Sequence, residues 1–178
     1  RICDIEVVAC QNYTHQTRYE LPIAPSPNLP NIHSIYLYPS TCLFEGTPVS
    51  LGRGTNFPFQ AYGHPKYKNS SFSFTPRSVP GAKNPPLLNE KCYGVDLRNV
   101  SHEEIWSKGF DLSYIIDAYN NIQIGDKFFT FFFEKLVGVD YIRKDIIAGK
   151  TANEIKEKWL CDVAKFKEQR RPYLLYEE

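Results

Sequence analysis

The stretch Leu21–Asn31, "LPIAPSPNLPN", places four prolines within eleven residues. Each proline fixes φ and lacks a backbone donor, so this stretch can be neither a helix interior nor a central strand. It is either a surface linker or an ordered wall, since a proline-rich backbone is stiff before folding. Regular structure has to be built on either side of it.

On the N-terminal side, Arg1–Val8 alternates like a strand, and "CDIEVVAC" extends the pattern into the polar turn "QNYTHQT". On the other side, "HSIYLYPS" (33–40) fits a strand or a short helix, and periodicity does not separate the two. "VSLGRG" reads as the end of a strand or helix running into a turn. Residues 61–100 alternate short strands, "FSFTPRSV" and "KCYGVDLR", with proline-glycine turns, as a sheet requires.

The C-terminal half is helical. Ser101–Glu104 spells a capping box, and "DLSYIIDAYNNI" spaces Leu112, Ile115, Ile116 and Tyr119 along one helical face. "FFTFFFEKLVG" stops at Gly138, and its phenylalanine run is expected to be buried core. "VDYIRKDIIAG" is a short helix ended by Gly149. Thr151–Glu154 is a second capping box, opening a helix to about Arg170 whose apolar face is Ile155, Trp159, Val163 and Phe166. "RPYLLYEE" closes as an extended tail. The order of elements predicts one α+β domain: a mixed sheet of short strands, with helices concentrated in the C-terminal half.

Charge and motifs exclude several chemistries. Lys and Arg total 21 against 20 Asp and Glu, a net charge of +1, so no nucleic-acid partner is expected. No apolar run approaches the roughly 18 residues that span a bilayer. The five cysteines match no metal spacing and read mostly as buried small hydrophobes. The four histidines are scattered, position 57 is Phe where a dinucleotide fingerprint needs glycine, and no serine nucleophile signature occurs. No metal and no cofactor are expected. The chain lacks methionine and opens within a strand-like pattern, which suggests a fragment or processed chain.

One loop remains chemically unusual: Leu51–Gln60, "LGRGTNFPFQ". Its two glycines allow a tight turn or close approach to a ligand, and Arg53 between them offers a planar fork for a carboxylate or phosphate. Around it, Tyr13, Tyr36, Tyr38, Phe57, Phe59, Tyr62 and Tyr67 are interleaved with Asn12, Asn28, Asn31, Asn56 and Gln60. Aromatic faces with amides suit a concave polar ligand such as a sugar. The same residues also suit ordinary core and rim packing.

Several segments carry a resemblance. "CQNYTH", "SPNLPNIHSIYLYPSTCLFEGTPVSLGRGTNFPFQAYGHP", "FSFTPRSVPG", "CYGVDLR", "GFDLSYIIDAYNN" and "FKEQRRPYLLYEE" resemble the C-terminal part of the NamZ/YbbC-like family of exo-β-N-acetylmuramidases. The resemblance implies a two-part protein: an N-terminal Rossmann-like domain, which this sequence lacks, and a smaller C-terminal domain, with the active site in the cleft between them. It implies release of terminal N-acetylmuramic acid from peptidoglycan fragments, in the periplasm or at the cell surface, and little activity for this part alone.

Under that resemblance Arg53 gains a target, the lactyl carboxylate that distinguishes muramic acid from glucosamine. Glu45, in "FEGT", is expected to be one of the two carboxyl groups of glycoside hydrolysis or to orient Arg53. Asn28, Asn31, Thr55, Gln60 and Tyr38 are expected at sugar hydroxyl and acetamido groups. The rival reading is a non-catalytic carbohydrate-binding module, or one in which loop 51–60 merely docks on the N-terminal domain.

Overall fold

A computed structural model describes residues 3–178. Its described residues fall into two compact units, Leu21–Lys156 and the paired terminal segments 3–20 and Glu157–Glu178.

The larger unit opens with the proline stretch, which is ordered. Ser26 and Leu29 form an isolated bridge, and the Asn28 amide donates to the Gly81 carbonyl at 3.2 Å. Helix α1 (Ile32–Thr41) follows, so the ambiguous "HSIYLYPS" resolves as helix. Asn31 caps it: its side chain accepts from the Ser34 amide at 2.9 Å, and the Ser34 hydroxyl returns a bond to the Asn31 carbonyl at 2.7 Å. Pro39 lies inside the helix and removes one i→i−4 donor, three residues before the α-helix gives way to a 3-10 turn. The buried face is Ser34, Leu37, Ser40 and Thr41, and a 3-10 turn, Cys42–Gly46, continues the chain.

The sheet has three short antiparallel strands, β1 (Ala61–His64), β2 (Phe72–Phe74) and β3 (Cys92–Asp96), in the order β1-β3-β2. Gly94 faces Gly63 across the β1–β3 pair, and a Cβ on Gly94 would lie 1.9 Å from the Tyr62 carbonyl oxygen. Only glycine permits that approach.

Helices α2 (His102–Lys108), α3 (Ser113–Ile122), α4 (Phe132–Val137), α5 (Tyr141–Ile147) and α6 (Ala152–Arg170) follow. The α+β reading holds, with five of the helices after residue 100. Both capping boxes begin helices: Ser101 Oγ accepts from the Glu104 amide at 3.1 Å, and Thr151 and Glu154 bond reciprocally at 2.8 and 3.3 Å. Gly138 ends α4 in the left-handed conformation.

The core of this unit stacks Phe44 on Tyr62 at 4.8 Å and packs Phe128 and Phe129 on Tyr119, with Phe133 against Phe129. The phenylalanine run is therefore only partly core. Phe131 and Phe132 are exposed, because α4 starts at Phe132 and its first turn cannot bury every side chain.

The terminal unit departs most from expectation. Residues 3–10 form no strand, while Arg1 and Ile2 of that expected strand lie outside the described residues. The Cys10 amide donates to the Tyr176 hydroxyl at 2.9 Å, the His15 amide to the Glu177 carbonyl at 2.9 Å, and the Tyr13 and Tyr176 rings meet edge to face. The expected apolar face of α6 is buried only at its start. Ile155 is enclosed, whereas Val163 and Phe166 are exposed. No helix among the described residues is long and apolar enough to cross a membrane.

Candidate functional site

The glycine-arginine loop is a nest of local hydrogen bonds. Phe59 N–H donates to the Leu51 carbonyl at 2.7 Å and closes it. Inside, the Thr55 amide and hydroxyl both donate to the Gly52 carbonyl, and Thr55 Oγ1 accepts from Phe57 N–H at 3.1 Å. Arg77 N–H donates to the Gly54 carbonyl at 2.8 Å, anchoring the loop from outside. Gly54 has φ +83°, and a Cβ there would fall 2.4 Å from the Arg77 carbonyl oxygen and 2.7 Å from Pro85 Cγ. The flanking glycines therefore serve backbone geometry, and they fix where Arg53 emerges.

Arg53 emerges beside Glu45. Its Nη1 lies 3.6 Å from Glu45 Oε1, and the two side chains are 35% and 31% exposed. An ion pair this open contributes about 0–1 kcal/mol, so its consequence is orientation more than stability. The Arg53 Nε is buried without a hydrogen-bond partner, as are Ser50 Oγ and Gln60 Nε2 in the same segment. Buried polar atoms are normally satisfied, so three such atoms within eleven residues mark this loop as unusual for a structural turn.

Glu45 also faces Tyr38 and Cys42. Burial, then the Glu45 carboxylate, then Cys42 raise the Tyr38 phenol above its ordinary value. Burial and then Glu45 likewise raise the Cys42 thiol. The Tyr38 ring is 38% exposed and lies 5.2 Å from Phe59, whose φ of +60° is rare for an aromatic residue. Tyr38, Glu45 and Arg53 thus share one aromatic and charged patch, rooted in α1, the 3-10 turn and the loop.

Asn28 and Thr55 are brought together elsewhere. They border a recess of about 170 Å³ whose walls include Pro27, Pro30, Pro58 and Pro80. The other two expected sugar contacts serve the fold. Asn31 is the cap of α1, and Gln60 is 5% exposed, its carbonyl accepting from Leu97 N–H.

Two arrangements had no local signal in the sequence. Asp117 Oδ2 accepts from both Tyr62 and Tyr67 hydroxyls, at 2.7 and 2.6 Å, while Asn121 donates to Oδ1 at 3.0 Å. Tyr36, Trp106 and Phe110 line a groove of about 260 Å³ between α1 and α2. Among the described residues, no three acidic, histidine or cysteine side chains gather as a metal site would need.

A family described as "Exo-beta-N-acetylmuramidase NamZ, C-terminal" matches residues 36–176. Peptidoglycan β-N-acetylmuramidase NamZ of Bacillus subtilis (strain 168) is 30% identical across 97% of this chain and 46% of its own length. A crystal structure of a DUF1343 family protein from Bacteroides fragilis NCTC 9343 is 65% identical and superposes with a TM-score of 0.98, over all of this chain and 50% of that one. The chain thus spans about half the length of the relatives it matches. It belongs to the family of NamZ C-terminal domains.

Proposed function

We propose that this chain is the C-terminal part of a peptidoglycan-degrading exo-β-N-acetylmuramidase and forms one wall of the cleft that holds terminal N-acetylmuramic acid. The observation that carries the reading is the Arg53–Glu45 pair. A guanidinium on a hydrogen-bonded loop, about one third open to solvent (35%) and short of hydrogen bonds, suits a substrate carboxylate. Muramic acid has one in its lactyl ether, and glucosamine does not. The exposed Tyr38 ring beside the pair offers apolar area to a sugar face.

In this reading Arg53 selects the lactyl group and Glu45 acts through Arg53 as a positioning residue. A glycosidase generally needs two carboxyl groups across the scissile bond. The described patch presents one, already paired with a cation, so the remaining chemistry falls to the part of the relatives that this chain does not span. Asn28 and Thr55, at the proline-walled recess, are assigned to smaller polar substituents of the sugar. A cell-wall substrate carries the protein to the periplasm or cell surface, which fractionation of the producing cells tests.

The direct experiment compares this chain with an extended polypeptide of its relatives' full length on a chromogenic muramide and the matching glucosaminide. The expected result is turnover of the muramide by the extended polypeptide only. Equal turnover of both sugars, or none of the muramide, contradicts the reading.

A further inference from the structure

The terminal unit has no core of its own. Among the described residues, every buried hydrophobic side chain lies between Leu37 and Ile155. Among the described residues, the unit contains fewer than a quarter of the chain yet more than half of the large exposed hydrophobic side chains. Ile5 is 78% exposed, Val8 88%, and Phe166 61%. A piece this small and this open does not bury enough apolar surface to be stable by itself.

The exposed residues are patterned. An extended backbone places Cys3, Ile5, Val7 and Ala9 on one face, and Asp4 and Glu6 on the other. Among the described residues, no backbone hydrogen bond joins 3–9 to any other segment, so both edges of this segment are free to pair. On α6, Leu160, Val163 and Phe166 recur every third residue and are all exposed. The sequence thus specifies a strand and an apolar helix face, and among the described residues the strand meets no pairing edge and the helix face stays exposed.

We propose that residues 3–9 add as an edge strand to a β-sheet in the part of the relatives' polypeptide that this chain does not span, with the Leu160–Phe166 face of α6 packing on the same partner. The length argues for that occupant, since relatives matching 97–100% of this chain continue for about as long again. Charge argues for an edge position. A central parallel strand is apolar on both faces, whereas Asp4 and Glu6 charge one face of this one. Main-chain pairing supplies the attachment, and the Ile5/Val7 face fixes the register. The inference uses the two-part architecture of the proposed function and none of its sugar chemistry.

Hydrogen exchange on the isolated chain and on the extended polypeptide tests it. In the isolated chain the amides of residues 4–9 exchange at the rate of an unstructured peptide. In the extended polypeptide alternate amides slow by about 100-fold or more, as paired strand amides do. Because an edge strand pairs only every second amide, Val7→Pro and Val8→Pro are compared: one of the two removes a ladder donor and abolishes the protection in the extended polypeptide, and neither changes the isolated chain's unfolding midpoint. Rapid exchange in both polypeptides overturns the proposal. So does protection that appears in the isolated chain with rising concentration, since that makes a second copy the partner. Either failure leaves the muramide selectivity of Arg53 untouched.

Discussion

Arg53 Nη1 stands 3.6 Å from Glu45 Oε1, across from a 3-10 turn that carries the glutamate. The loop behind Arg53 is closed by bonds from Phe59 to Leu51 and from Arg77 to Gly54, so the cation is placed before any ligand arrives.

Glu45→Gln separates the two roles open to this carboxylate. If it works through Arg53, the amide keeps an acceptor in place, and kcat/KM on the muramide falls only a few-fold, as expected for an open ion pair worth about 1 kcal/mol. If it is the acid or base of the reaction, the loss is about 100- to 10,000-fold. The first result is predicted, by steady-state kinetics of the extended polypeptide.

Gly54→Ala tests the loop's backbone. The left-handed φ and the clash with Arg77 and Pro85 together cost about 2–4 kcal/mol, which is about 5–10 °C in Tm. Thermal unfolding of the 178-residue chain measures it. An unchanged Tm contradicts the description of this loop.

The Asp117 network predicts a loss of stability in alkali. Burial first, then the hydrogen bond to Asp117, raise the Tyr62 and Tyr67 phenols above the ordinary 10.0. The folded state therefore holds these protons more tightly than the unfolded chain. Their stabilisation is fully present below about pH 10 and is lost as pH rises through the raised native values. Urea midpoints above pH 10 fall more steeply for the native sequence than for the double variant Tyr62→Phe, Tyr67→Phe. At neutral pH, Tyr62→Phe alone costs about 1.5–3 kcal/mol, the usual range for a hydrogen bond to a charged group.

Cys92 is fully buried in β3, and burial followed by Glu90 pushes its thiol up to about 12. Because the thiolate is the reactive form, a disulfide reagent near neutral pH modifies the exposed Cys3, Cys10 and Cys161 first. Cys92 reacts only on unfolding. Fast modification of Cys92 in the folded chain contradicts its placement.

What the sequence made legible was local. Ser101 with Glu104 and Thr151 with Glu154 begin helices because their partners lie one turn away, and Gly138 ends one by its own conformation. Strand pairing is non-local, and "CDIEVVAC" shows the consequence: an alternating pattern specifies a strand only when an edge is present to receive it. Helix α1 stayed ambiguous because Ile35, Leu37 and Pro39 alternate like a strand, yet the Asn31–Ser34 cap was there to be read. The amide that suits Asn31 to a sugar contact is the same group that caps the helix, so residue type does not separate the two roles. The meeting of Tyr62 and Tyr67 with Asp117, 55 and 50 residues away, leaves no trace in any short window. Glu45 lies only eight positions before Arg53, close enough for the sequence to offer it as a partner of Arg53 or as a catalytic carboxyl, and the structure shows the two side chains 3.6 Å apart.

The most direct measurement is Arg53→Lys in the extended polypeptide, assayed on a muramide and on the glucosaminide that lacks only the lactyl ether. Lysine keeps the charge and loses the fork. A charged two-pronged contact worth about 1.5–3 kcal/mol predicts that kcat/KM on the muramide falls by about one to two orders of magnitude, with the glucosaminide nearly unaffected. Equal loss on both sugars would contradict the assignment of Arg53 to the lactyl carboxylate.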